Sequence, residues 1–239
     1  MALTVAHRGD PYAHRENTLP SVRSALLKGA DAVEVDIRVT SDGMPVLLHD
    51  PSLDRLWGHP QAVAGLAWDE VVELTGGELP ALGDALAELR RHAHGRMLLD
   101  LTHAGQVGPT LAAVRAAGAE ERVYYCGGAT AMRAVRDADA DAEIALTWTT
   151  SAWPAPTLLA EVAPRWLNLR FGLVDRPTVT YAREHGLLVA AWTADWPRSM
   201  RRLLALGTDA VTTNRLTALQ RLTGRPAPGG TASGPAGRP

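Results

Sequence analysis

Ala32-Val33-Glu34-Val35-Asp36-Ile37-Arg38-Val39 alternates apolar and charged side chains with period two. Successive side chains of a β-strand point to opposite faces, so Val33, Val35, Ile37 and Val39 share one face and Glu34, Asp36 and Arg38 the other. Whether that second face is simply wet depends on the strand's neighbours. Seven more short apolar runs, at residues 3–6, 97–101, 122–126, 142–146, 166–169, 187–192 and 209–213, read as strands. Stretches with apolar residues at three- and four-residue spacing lie between them, at 19–28, 110–117, 131–138, 177–184 and 199–206. Strands alternating with helices make βαβ units and a parallel sheet. Eight such units over residues 1–224, about 28 residues each, predict a single-domain α/β fold, a closed (β/α)₈ TIM barrel. The competing open, doubly wound sheet lacks a GxGxxG turn after its first strand.

In a barrel the valine face of 32–39 meets the helices, and the charged face looks inward. Inward carboxylates need a cation or hydrogen-bond donors to offset their desolvation. Glu34 and Asp36, about 6.6 Å apart along the strand, are spaced to share one metal ion. Two histidines flank them in the chain. His7 ends the first apolar run, at the strand end where barrel enzymes keep their active sites. His49 ends Pro45-Val46-Leu47-Leu48, which follows the Asp42-Gly43 turn too closely for a crossover helix. That run reads as an antiparallel return, bringing His49 back to the mouth. Histidine is the side chain best suited to proton transfer near neutrality. Trp148 and Trp192 close the fifth and seventh strands at the same mouth, and Trp192 is a candidate for lining a substrate cleft.

The remainder of the 239-residue chain narrows the field. With 24 basic and 26 acidic residues the formal charge is −2, giving no electrostatic reason for a nucleic-acid or membrane-surface partner. One cysteine, Cys126, excludes an internal disulfide framework. No run approaches the roughly 20 apolar residues of a membrane span, and the N-terminus does not read as a signal peptide, so the expected location is cytoplasmic. Residues 225–239 hold four prolines and four glycines and read as a disordered tail. His92, His94 and His103 lack the spacing of a zinc motif and are taken as surface histidines.

His7-Arg8-Gly9, Glu16-Asn17-Thr18, Glu34-Val35-Asp36, Asp42-Gly43-Met44-Pro45-Val46 and His49-Asp50 follow one another within 44 residues. In that order they resemble the signature of the glycerophosphodiester phosphodiesterases. Leu79-Pro80-Ala81-Leu82, Trp192-Thr193 and residues 207–214 resemble later elements of the same family. The resemblance implies a barrel enzyme that hydrolyses glycerophosphodiesters to glycerol 3-phosphate and an alcohol. His7 and His49 would be the acid–base pair, Glu34 and Asp36 metal ligands, and Arg8 a substrate-binding fork suited to phosphate oxygens. An all-oxygen site favours Mg²⁺ or Ca²⁺. Asp100 stands where the resemblance implies a third, glutamate ligand. Thr102 stands in place of a phosphate-binding lysine and Asn214 in place of an aspartate. Lys28, the only lysine, lies on the first helix, and no other residue is expected to supply the missing charge. Two alternatives share these residues: a phospholipase D-like lyase acting on lysophospholipids, and a catalytically silent barrel that binds a phosphorylated ligand.

Overall fold

A computed structural model of the chain describes residues 1–224; the tail expected at 225–239 lies outside them. In chain order the elements are β1 (Leu3–His7), α1 (Leu19–Leu27), β2 (Ala32–Val39) and β3 (Pro45–Leu47). There follow α2 (Asp54–Trp57), α3 (Trp68–Thr75), α4 (Leu82–Arg90), β4 (Arg96–Asp100), α5 (Val107–Ala117), β5 (Val123–Gly127) and α6 (Ala129–Ala138). The remainder are β6 (Ile144–Trp148), α7 (Pro156–Val162), β7 (Trp166–Arg170), α8 (Arg176–Glu184), β8 (Leu188–Trp192), α9 (Pro197–Leu206), β9 (Ala210–Thr213) and α10 (Leu216–Leu222).

Eight of these strands are parallel, in the order β1-β9-β8-β7-β6-β5-β4-β2, and β1 also pairs with β2. That last pairing closes the sheet, so the fold is a TIM barrel and leaves no parallel edge to protect. β3 lies outside the ring and pairs antiparallel with β2, Arg38 opposite Val46, as the short turn requires, and bridges on its other side to Ala81. Among the described residues no helix is long and apolar enough to cross a membrane.

The alternation in β2 divides the core. Val33, Val35 and Ile37 are fully buried beneath the helices with Val22, Leu86 and Leu89, each contributing about 1.5–3 kcal/mol by burial. Inside the ring Val5, Leu98, Tyr124, Ala145, Trp166 and Ala190 fill the lower barrel, so the interior is packed below and open only at the C-terminal end. The expected strands all form, with ends displaced by one or two residues. The connection from β2 to β4 is longer than a simple unit: β3, α2 and α3 enclose a second small core of Val46, Leu48, Leu53, Val63, Val71 and Leu79. That core anchors the segment carrying His49.

Candidate active site

A cavity of about 180 Å³ opens at the C-terminal end of the barrel, lined by His7, Arg8, Glu34, Asp36, His49, Leu98, Asp100, Cys126, Thr147, Asn168, Trp192, Thr193 and Thr212. Strand register assembles it. His7 is paired with Glu34 across β1 and β2, and Asp36 with Asp100 across β2 and β4. Carboxylate oxygens of Glu34, Asp36 and Asp100 lie within 4.8 Å of one another.

The turn after β1 positions the first of these groups. Arg8 has φ 58° and Gly9 φ 86°, and a Cβ at Gly9 would stand 2.4 Å from Ser21 Oγ. Only glycine fits there. The turn aims the Arg8 backbone N–H at Glu34 Oε2, 3.0 Å away. The Arg8 guanidinium is committed as well, with Nη1 2.9 Å from Glu16 Oε1 and Nε 3.0 Å from Asp36 Oδ2. Asn17 grips Asp36 from both sides: its Nδ2 donates to Oδ2 at 2.8 Å, and its Oδ1 accepts from the Asp36 backbone at 3.2 Å. Glu16 and Asn17 therefore hold the carboxylate wall. The sequence carried them as part of a signature without revealing this job.

Glu34 and Asp100, buried close to Asp36 and to each other, resist ionisation. Burial, then the charges of Asp36 and Asp100, pushes Glu34 well above the usual carboxylate range. Burial, then Asp36, pushes Asp100 up to about 6. A divalent cation would reverse both shifts, and an all-oxygen donor set suits Mg²⁺ or Ca²⁺. The residues fit such an ion.

Both histidines have one ring nitrogen fixed. His7 Nδ1 is 2.8 Å from Asn214 Oδ1. Asp195 accepts from Asn214 Nδ2 at 2.7 Å and from Asn214 N at 2.8 Å. A carboxylate only accepts, so the Asn214 amide is oriented with Oδ1 toward His7, and Nδ1 of His7 carries the proton. Burial, then the Arg8 charge, pulls the His7 imidazole below its ordinary value, against Asn214, Asp36 and Asp195. The neutral ring presents a lone pair at Nε2, 3.9 Å from Glu34 Oε2. The loop following β3 holds His49 at the rim, its Nδ1 2.7 Å from Asp50 Oδ1.

Residues 7–218 match the model of the glycerophosphoryl diester phosphodiesterase family. The chain belongs to this family of phosphoric diester hydrolases. It is 30% identical to the probable glycerophosphodiester phosphodiesterase 2 of Mycobacterium tuberculosis, over 91% of this chain and 89% of that protein. Glycerophosphodiester phosphodiesterase 1 of Mus musculus is 36% identical over 100 residues, a match that spans only 30% of the mouse protein and 37% of this chain. An Oleispira antarctica phosphodiesterase, solved in complex with the product sn-glycerol-3-phosphate, shares the fold with a TM-score of 0.79 at 21% identity, covering 94% of this chain and 97% of its own.

Of the residues singled out from the sequence, His7, Arg8, Glu34, Asp36, His49, Asp100 and Trp192 meet in the one cavity. Thr102 does not. β4 ends at Asp100, and two residues later Thr102 is exposed above the cavity. There its hydroxyl accepts from Arg38 Nη1 at 3.2 Å. The expectation that nothing supplies charge at position 102 is therefore corrected: Arg38 brings a guanidinium to that spot, across 64 residues of sequence. Lys28 is engaged elsewhere, by Asp10. Thr147, Asn168 and Thr212 also line the cavity, neutral polar residues within largely apolar strands that carry no motif.

Proposed function

We propose that this family member hydrolyses glycerophosphodiesters to glycerol 3-phosphate and an alcohol, with His7 and His49 as the acid–base pair. The observation that carries the proposal is the convergence of two oriented imidazoles and three carboxylates on one cavity. A phosphodiester reaction needs three things: charge neutralisation, removal of a proton from the nucleophile, and a proton for the leaving alkoxide. Glu34, Asp36 and Asp100 would hold Mg²⁺ or Ca²⁺, which supplies the neutralisation when bound. His7, neutral and with Nε2 free, takes a proton from the attacking water as its oxygen bonds to phosphorus and the bond to the leaving alkoxide breaks. His49, held at Nδ1 by Asp50, gives its proton to the departing alkoxide. Asp195 and Asn214 keep the His7 ring in the accepting tautomer throughout.

On the substrate side, Arg8 and Trp192 line the cavity with Thr147, Asn168 and Thr212. Trp192 Nε1 is buried without a hydrogen-bond partner among the described residues. A substrate oxygen would satisfy it, and a buried donor left unmet is costly. The test is an assay for glycerol 3-phosphate released from glycerophosphocholine, with and without a chelator. Release that stops on chelation and returns with Mg²⁺ or Ca²⁺ supports the proposal. Undiminished release after exhaustive chelation removes the metal from it. A cyclic phosphate product replaces hydrolysis with the lyase reaction.

A further inference from the structure

Three arginines stand at the acidic half of the cavity mouth, and their partners differ. Arg8 meets the carboxylates of Glu16 and Asp36, and Arg55 those of Glu16 and Asp50. Arg38 meets no carboxylate among the described residues. Its Nε and Nη2 donate to the His49 carbonyl and its Nη1 to Thr102 Oγ1. Both acceptors are neutral. Two residues beyond Asp36 on the same face of β2, Arg38 lies roughly 6.6 Å further toward solvent. The backbone carbonyl it holds belongs to His49, whose side chain lines the cavity.

We propose that Arg38 is the anion-binding residue of the mouth, taking a non-bridging phosphate oxygen of the ligand that fills the cavity. The proposal rests on the phosphodiester reading above and names the cation that receives the phosphate. A guanidinium has five N–H groups. Three are occupied here, so one on each terminal nitrogen remains for a ligand, the fork that matches phosphate oxygens. The neutral acceptors fix the fork without cancelling its charge. Arg8 differs in charge, because two carboxylates lie against its guanidinium and offset it. A phosphate set between the acidic triad and Arg38 would meet a positive charge on the side away from the triad, next to the imidazole of His49.

Thr102 matters to this proposal for its position. Its hydroxyl marks a point 3.2 Å from Arg38 Nη1, so a lysine at 102 would put an ammonium group close to where the guanidinium sits. In the wild-type background Thr102→Lys crowds two cations together and should reduce activity. In an Arg38→Gln background the same substitution should restore what was lost.

The experiment measures the binding of glycerol 3-phosphate and of inorganic phosphate by calorimetry at saturating Mg²⁺, alongside kcat and KM for glycerophosphocholine. Arg38→Gln should weaken both ligands about 10- to 100-fold, the loss of a charge-assisted contact, and raise KM more than it lowers kcat. Arg38→Lys should keep most of the affinity, and Arg38→Gln with Thr102→Lys should recover most of it. Unchanged phosphate affinity in Arg38→Gln overturns the assignment. So does an Arg38→Gln, Thr102→Lys variant as impaired as Arg38→Gln alone, because Arg38 would then serve only to pin the His49 segment. A chain that binds phosphate through Arg38 yet releases no glycerol 3-phosphate keeps this assignment and overturns the hydrolysis.

Discussion

The cavity wall built by β1, β2 and β4, with the His49 segment, carries three carboxylates, two imidazoles and an arginine; the wall built by β6 to β9 carries Thr147, Asn168, Trp192 and Thr212, none of them ionisable in the working range. The first wall is charged and unfinished. Its carboxylates crowd one another, and in the proposed function a cation brought from outside joins them. The second is neutral and partly satisfied within itself, with Asn168 Nδ2 donating to Thr147 Oγ1 at 3.0 Å. Charge in a dry site is worth several kcal/mol and a neutral hydrogen bond about one. The proposed function thus puts chemistry on one side of the barrel and most of the substrate fit on the other.

That division predicts a hierarchy of effects. Glu34→Ala and Asp36→Ala should leave less than about 0.1% of kcat/KM, because a lost ligand loosens the cation and leaves the others repelling. Steady-state kinetics across a metal titration would check this, and a substitution on the neutral wall that does equal damage would erase the contrast. His7→Ala and His49→Ala should each cost about 10²–10⁴-fold in kcat, the usual range for acid–base catalysis. Their melting temperatures should stay near that of the parent, because the catalytic face of a barrel serves function more than stability.

A smaller effect is one of pH on stability. Without a cation, Asp100 and Glu34 titrate above their unfolded values. At these two groups the folded state therefore binds more protons than the unfolded one, and their contribution to stability falls as pH rises. For Asp100 the loss runs from its unfolded value near 3.8 up to about 6. The metal-free protein should melt at a lower temperature at pH 7 than at pH 5, and Asp100→Asn should flatten that slope. Thermal melts in EDTA and in Mg²⁺ at both pH values test it; a metal-free Asp100→Asn variant with the same pH slope as the parent contradicts the assignment. Asn168→Leu should have the smallest effect, a KM increase of about tenfold for glycerophosphocholine with little change in kcat. A kcat collapse in that variant would move Asn168 to the chemical side of the cavity.

The two walls were also unequally legible. Glu34 and Asp36 were visible in the chain because a parallel strand is normally apolar on both faces, so alternating charge is an anomaly that asks for a reason. His7 and His49 were visible by their position at strand ends on either side of that anomaly. Asn168 and Thr147 carry no such signal, since one neutral polar residue near the end of an apolar strand is ordinary. The segment carrying α2 and α3 was not foreseen either. Its small core of Leu53, Val63 and Val71 combines short helices with irregular chain, and neither leaves a sustained period.

Sequence alone determined the alternating elements, the closed barrel they imply, and the half of the site that lies within a single 44-residue stretch. Each of these follows from local periodicity or from charge placed where burial makes it costly. Tertiary structure decided which strands lie side by side, and so that Asp100 faces Asp36 and His7 faces Glu34. It decided that Asp195, through Asn214, orients the ring of His7. It also decided that Arg38, not a lysine, brings positive charge to Thr102. These are contacts between residues 19 to 207 positions apart, and they exist only when closure of the barrel sets a register that no local pattern in the chain encodes.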